Sequence, residues 1–506
     1  MKKDLSYEEL SMLVATLESE NKRKDERIAY LERMLYGSKR DKKKAYDGPG
    51  LFDKEFNEAL DRRDAAIEKA ANDIKAESAK RRATARKAPA RPSKYQYFGL
   101  EERVRTLNPG GVNLDDYELV GNDITRILHR RKAEVWVEVV VRPVYRHKAD
   151  KNLPSPRMAQ APAIRAVIGG GHVAADLLAQ IVIDKYRYHL PEYRQVRQYA
   201  DLGVRLPAST INDWVHAVAD KLYPLYEAQG EDIRSRTYLQ IDEVPWRIAD
   251  TPGKTRKGYA WQFFDATPDS HGLYFHYDKG SRGGAVVRAQ LKGYRGAIQT
   301  DGYKVYDYFE SQENVTLLSC MAHVRRKFAS AQNSHPQKAA EALEYIGLLY
   351  ELEANLSHCG ATPEKKAEER RGKAIPIMDA MEEWMKVASG TCTPSDLLGK
   401  ALDYAYKLCL RLRRYADDGT YHIDNNPVER NQRPSVMGRK NYLFSKNDRG
   451  AEDNALFYSL IESCEIVGID PLEWLTYVLD RLCDEQPEEE LIAMLPYNYK
   501  KSQDQA

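Results

Sequence analysis

Asp242, Asp301 and Glu429 are acids from three separate stretches of the chain whose settings suit them to bind divalent cations. Magnesium and manganese favour oxygen ligands. Two such ions about 3.5–4 Å apart can activate an attacking oxygen and stabilise a leaving one in an in-line phosphoryl displacement. Three carboxylates could flank and bridge that pair. Water attack would nick DNA, and the freed 3′-hydroxyl could then attack a second strand, with no covalent protein–DNA intermediate.

Each acid has an ordinary reading as well. Asp242 closes the apolar run Tyr238-Leu239-Gln240-Ile241, and Asp301 closes Ala297-Ile298-Gln299-Thr300; an aspartate at a strand end is often a turn residue. Glu429 follows Asp424-Asn425-Asn426-Pro427-Val428, where Asn426 is the expected N-cap, Pro427 the first helical residue and Glu429 part of the first turn. A capping-box glutamate would sit in that same place. The three acids gain weight from occurring together, and Glu243, Asp265 and Asp424 compete for the same role.

The elements that must position them are readable from residue 237 onward. Strands are expected over 238–243, 259–264 and 273–277 as an antiparallel meander, then a helix near 285–291, a strand over 297–303 and a fifth over 315–320. The order β-β-β-α-β-α-β is that of a ribonuclease-H-like core, a mixed sheet with flanking helices, in which acids ending the first and fourth strands lie side by side. A helical stretch over about 336–416 would form an insertion before the segment bearing Glu429.

Earlier segments read as accessory modules. Leu10, Val14, Leu17, Asn21, Lys24, Ile28, Leu31 and Leu35 form a heptad stripe with a polar pair at its middle, as expected of a short coiled coil joining copies of the chain. A charged helix over 51–80 leads into a linker with seven basic residues and no acid between Ala79 and Lys94, which suits a polyanion backbone or simple solvation. Residues 135–141 read as the clearest strand of a small β-containing module. Gly203 to Trp214 reads as a turn, a cap at Ser209 or Thr210 and a helix, a possible helix-turn-helix.

The expected organisation is thus a multidomain α/β protein. A coiled coil occupies 1–46, a charged helix and linker 47–95, a small module 96–150 and a helical DNA-binding region 151–232. The first part of the core spans 233–330, the helical insertion 331–420 and the rest of the core 421–482, with a polar tail over 483–506.

Composition sets the outer limits. The chain has 506 residues, 42% of them hydrophobic and 30% charged, with net charge +2. It has no apolar run near the roughly 20 residues needed to cross a bilayer. A cytoplasmic address without membrane association is therefore expected. All six cysteines lie at or beyond residue 320, and none forms a CxxC pair, a pattern of reduced thiols.

The chain resembles the transposases of the insertion-sequence sixty-six family. The resemblance runs through Leu239-Gln240-Ile241-Asp242-Glu243, Gln299-Thr300-Asp301-Gly302-Tyr303, the segment Cys320 to Phe328, Ile423 to Arg430, and Gly438-Arg439-Lys440-Asn441-Tyr442-Leu443-Phe444. It implies a leucine-zipper N-terminus and a small zinc-type module. It also implies a catalytic DDE domain with a helical insertion, and action with Mg²⁺ or Mn²⁺ on the inverted repeats of a mobile element in the bacterial nucleoid. Accessory proteins of the same element are further implied partners. The small module departs from the pattern. It has no cysteine, only His129 and His147, too few ligands for structural zinc.

Cys320 and His323 lack the second half of a zinc site, so a structural role is expected for them, as for Asn425 and Asn426. Arg325, Arg326 and Lys327, with Arg430, Arg433, Arg439 and Lys440, flank the motif segments and suit phosphate contact. Two other classes compete. A tyrosine recombinase would use His323-Val324-Arg325-Arg326 with Tyr345 or Tyr350, although its nucleophile usually lies near the chain end. A non-catalytic DNA-binding protein could retain the fold and all three acids.

Overall fold

The computed structural model describes residues 54–85, short pieces between 134 and 169, and 173–499 apart from Asp484. The expected coiled coil, most of the basic linker, His129 and His147 lie outside the described residues. The first described helix, α1 (Lys54–Ala85), continues past the expected end at 80.

Five strands form one mixed sheet: β1 (Tyr238–Ala249), β2 (Thr255–Asp265), β3 (Leu273–Tyr277), β4 (Gly296–Thr300) and β5 (Val315–Ser319). Their order is β3-β2-β1-β4-β5. The first three pair antiparallel, as the meander reading expects, while β4 runs parallel to β1 and β5 parallel to β4. Leu239, Ile241, Val244, Phe263, Phe275 and Ile298 are all buried, as expected of a sheet covered by helices on both faces.

Helices α2 (Ala175–Tyr186), α3 (Glu192–Asp201) and α4 (Ala208–Ser235) precede the sheet. Helix α5 (Gly284–Gln290) joins β3 to β4, and α6 (Met321–Ala331) follows β5. The helical stretch comprises α7 (Pro336–His358), α8 (Pro363–Glu369), α9 (Ile375–Ser389) and α10 (Leu397–Arg413). After it come α11 (Asn426–Tyr442), α12 (Asp448–Val467), α13 (Pro471–Arg481) and α14 (Glu488–Met494).

The edge strand β3 is sealed by side chains. Ser459 Oγ and Ser463 Oγ of α12 accept from the backbone of Phe275 and Leu273 at 2.8 and 3.0 Å. From α4, the Tyr226 hydroxyl and the Gln229 amide donate to the carbonyls of Phe275 and Leu273 at 2.7 and 2.8 Å. An otherwise open edge is therefore satisfied without another strand.

Four expectations are corrected. The first strand does not stop at Glu243 but continues to Ala249 through Pro245. Beyond Gln240 it has no β4 partner, and the Pro245 carbonyl on that open side accepts from Arg439. Since the N–H of a strand residue points the same way as its carbonyl, the proline forfeits no ladder bond.

Residues 134–141 carry no strand, and Trp136, Val137, Val139 and Val141 are exposed. The short antiparallel pair instead joins Val144–Arg146 to Met158–Gln160. β-Branched composition alone makes no strand where no ladder partner meets it. Ser209 and Thr210 do not cap; α4 already begins at Ala208, after Pro207. The residue before α11 is Asn425 rather than Asn426, and its side chain makes no cap bond.

Candidate carboxylate centre

Strand register brings the first two acids together. Gln240 of β1 pairs with Gln299 of the parallel neighbour β4, and Asp242 and Asp301 each lie two residues further on. They therefore emerge side by side, Asp242 within β1 and Asp301 immediately after β4.

Asp242 Oδ1 accepts from the Glu243 N–H and its Oδ2 from Gln432 Nε2, both at 2.8 Å. Burial pushes its carboxyl up from 3.8 to about 7, with the charges of Glu243 and Asp301 adding to the rise and the Gln432 bond opposing it. Asp301 Oδ1 accepts from Tyr303 N at 2.8 Å. Between them, Gly302 turns with φ +83, and a Cβ there would stand 2.7 Å from Leu408 Cδ1. A side chain there would be strained by the positive φ and would push Leu408 aside.

Glu429 lies in the first turn of α11. Its own N–H bonds to the Asn425 carbonyl at 3.2 Å, and its carboxylate reaches out to α6. There Arg326 Nη2 donates to Oε1 at 2.5 Å, and His323 Nε2 lies 3.6 Å away. The capping-box reading thus gives way to an interhelical ion pair. Arg326 also donates to His323 Nε2 at 2.9 Å. His323 is pushed below its ordinary value, chiefly by burial and then by the charge of Arg326.

The competing acids have other partners. Glu243 is buried, accepting from the Tyr306 hydroxyl at 2.6 Å and from Arg282 at 3.2 Å. Burial raises its carboxyl, and the charge of Asp301 adds to that. Glu243 thus belongs to the same electrostatic cluster. Asp265 bonds Arg236 and the backbone of Thr267 and His271, anchoring the β2 turn. Asp424 accepts from the Tyr350 hydroxyl at 2.7 Å and from Asn426 Nδ2 at 2.7 Å.

A buried polar ladder that the motif reading missed ties the Glu429 segment to the sheet. Tyr238 Oη and Gln240 Nε2 donate to Gln299 Oε1 at 2.7 and 2.8 Å. Gln299 Nε2 donates to the His422 carbonyl at 2.8 Å, and Gln240 Nε2 to the Asp424 carbonyl at 3.0 Å. Gln240 Oε1 accepts from Val428 N, and Asn425 Nδ2 donates to the Ile241 carbonyl, both at 3.3 Å. Gln240 and Gln299 carried a signal in the sequence, a polar residue two positions before each acid in an otherwise apolar strand. Gln432, Tyr306 and Tyr404, whose hydroxyl bonds the Asp301 carbonyl, carried none.

Cys320 is buried, and its sulfur accepts from Asn425 N at 3.1 Å. Burial pushes the thiol up to about 12. Cys320 and Asn425 thus join β5 to the start of α11, while Asn426 holds Asp424. Of the expected phosphate ligands, Arg325, Arg326, Lys327, Arg430, Arg433 and Lys440 are exposed. Arg326 is engaged by Glu429, Lys327 lies over the Tyr404 ring at 4.5 Å, and Arg439 bonds the Pro245 carbonyl. Among the described residues, no three His, Cys, Asp or Glu side chains close into a coordination shell. The Glu429 carboxylate is turned onto Arg326 instead.

Known proteins match this chain along most of its length. A family model described as "Transposase IS66 family" matches residues 170–453, and one described as "IS66 C-terminal element" matches 459–497. The uncharacterized protein y4jD of Sinorhizobium fredii is 28% identical over 98% of this chain and 97% of its own. A second protein of that organism, y4qI, also uncharacterized, is 29% identical over 79% of this chain and 76% of its own.

Proposed function

Because the chain belongs to the IS66 transposase family, we propose that it is a DDE-type enzyme which nicks and joins DNA at the ends of an insertion sequence. Asp242, Asp301 and Glu429 carry the chemistry on a ribonuclease-H-like core. The observation that carries this reading is the register of β1 and β4, which sets Asp242 beside Asp301.

The donors fit a divalent cation. They are oxygens only, as Mg²⁺ or Mn²⁺ favours. Burial raises the Asp242 carboxyl to about 7, and the charges of Glu243 and Asp301 add to the rise, so a cation at this place would stabilise the carboxylate. When bound, the ions supply Lewis acidity at the attacking and leaving oxygens.

The chain's own residues orient that chemistry. Gln432 and the Glu243 N–H aim the Asp242 carboxylate. The tight Gly302 turn aims Asp301, and the buried ladder sets the start of α11. Glu429 must leave Arg326 to serve as a ligand, which in turn frees Arg326 for a phosphate. Arg325, Lys327, Arg430, Arg433 and Lys440 line the approach as backbone contacts. Self-association through 1–46 and cooperation with proteins of the same element complete the proposal.

The test is cleavage of DNA carrying the element's ends, in Mg²⁺ or Mn²⁺, by the parent and by Asp242→Asn, Asp301→Asn and Glu429→Gln. Each variant is expected to lose cleavage and joining while keeping DNA affinity. Full activity in any of them overturns its assignment, and activity that persists in chelator overturns the whole reading.

A further inference from the structure

The helix that begins beside Asp242 ends in an unusual turn. Leu443 has φ +68 and ψ −51, and Phe444 N donates to the Tyr442 carbonyl at 2.8 Å. These are the marks of a γ-turn of the rare, strained kind. A bulky residue with positive φ is an outlier that points to a use. Glycine would take the conformation without strain, yet a leucine stands here with its side chain 62% exposed, next to Phe444 at 45%.

The turn is held on both sides. Leu443 N bonds the Arg439 carbonyl at 2.8 Å, and Ser445 N bonds the Arg247 carbonyl at 2.9 Å. Within the last turn of α11, the Tyr442 hydroxyl pairs with that of Tyr458 at 2.7 Å. The apolar pair is thus presented on a fixed base.

Its surroundings choose the occupant. Arg430, Arg433, Met437 and Lys440 follow one another at helical spacing along an exposed face of α11, and Lys446 follows the turn. Among the described residues these four basic side chains have no ion-pair partner. A basic track that starts at Glu429 and ends in two exposed apolar side chains is complementary to a duplex. Its phosphates would meet the lysines and arginines, and a base step would meet the leucine and phenylalanine.

We propose that Leu443 and Phe444 form a wedge that enters the DNA between stacked bases and unstacks a step near the cleaved end. Apolar side chains inserted from the minor groove do this in other DNA-bending proteins. The proposal rests on the transposase reading above. Helical rise puts Leu443 about 21 Å along α11 from Glu429, which at about 3.4 Å per step reaches about six base pairs from the scissile phosphate where the duplex lies along that helix.

The experiment uses the full chain with a duplex spanning one boundary of its element and permanganate, which oxidises unstacked thymines. The parent is expected to make thymines about six base pairs from the nick reactive. L443A/F444A should abolish that reactivity while binding the duplex as tightly as the parent. Leu443→Gly relaxes the turn and should fold at least as well as the parent while weakening the reactivity.

An unchanged permanganate pattern in L443A/F444A overturns the wedge, as does metal-dependent nicking by a parent that makes no thymine reactive. Loss of self-association in L443A/F444A, with the DNA pattern intact, assigns this face to a second copy and also overturns it. Failure of the parent to bind the duplex overturns the wedge and the transposase reading together.

Discussion

The side-chain amide of Gln432 donates to Asp242 Oδ2 across 2.8 Å, linking the second turn of α11 to the middle of β1. Gln432 lies three residues beyond Glu429 on the same helix, so one element carries both an acid of the centre and the group that steers another. A hydrogen bond to a carboxylate favours its charged form. Replacing Gln432 with leucine should therefore raise the Asp242 carboxyl further. The acidic limb of the pH–rate profile for cleavage would move to higher pH, by up to about one unit. A limb that stays in place would show that Asp242 does not need this partner.

The raised carboxyl also predicts a dependence of stability on pH and metal. The unfolded chain gives up this proton near 3.8 and the folded chain only near 7. The folded state therefore loses stability as pH rises through that window, by a few kcal/mol in the absence of a cation. Asp242→Asn removes that loss. Its melting temperature should exceed the parent's at pH 8 in chelator and match it near pH 4, and added Mg²⁺ should raise only the parent's. Equal melting temperatures at pH 8 would contradict the argument.

On the proposed reading, the ion pair of Arg326 with Glu429 stands against a cation at the same carboxylate. The Arg326 guanidinium is more than half exposed, so the ion pair contributes little to stability, about 1 kcal/mol or less. Arg326→Ala should leave urea unfolding nearly unchanged while lowering the Mn²⁺ concentration needed for half-maximal cleavage. An unchanged metal midpoint would mean that Glu429 reaches its working position without displacing Arg326.

Gln299 is a buried hub. Gln299→Leu leaves the Tyr238 hydroxyl without its acceptor and the His422 carbonyl without its donor, and takes from the Gln240 amide one of its two acceptors. Stranding several buried polar groups should cost about 2–4 kcal/mol in urea unfolding. A loss below about 1 kcal/mol would indicate that the ladder repairs itself through water.

Chain order and strand number were legible in the sequence because strands 2 and 3 are short runs rich in aromatic residues, and Asp242 and Asp301 each follow an apolar run. The continuation of β1 was not. Pro245 normally argues against a strand, and only the missing β4 partner beyond Gln240 makes it harmless. Residues 135–141 misled in the opposite direction, since valines favour strands but cannot supply a neighbour. At the centre, the strand acids could be read locally, whereas the ion pair of Glu429 with Arg326 could not. It joins two helices separated in sequence by the whole helical stretch, and no local spacing encodes such a meeting.

Helix α11 is fastened to β1 along its length. Asn425 and Val428 meet Ile241 and Gln240, Arg439 meets Pro245, and Ser445 bridges Arg247 and Ala249. A rod splinted to its neighbour at both ends keeps its place however far the chain wanders before reaching it. The excursion through α7 to α10 therefore does not by itself fix where α11 lies on the sheet; its own hold on the centre is the bond of Tyr350 to Asp424, that of Tyr404 to the Asp301 carbonyl, and Leu408 against the Gly302 turn. Glu429 and Gln432 thus keep their place relative to Asp242 through bonds to β1 rather than through the length of chain that connects them.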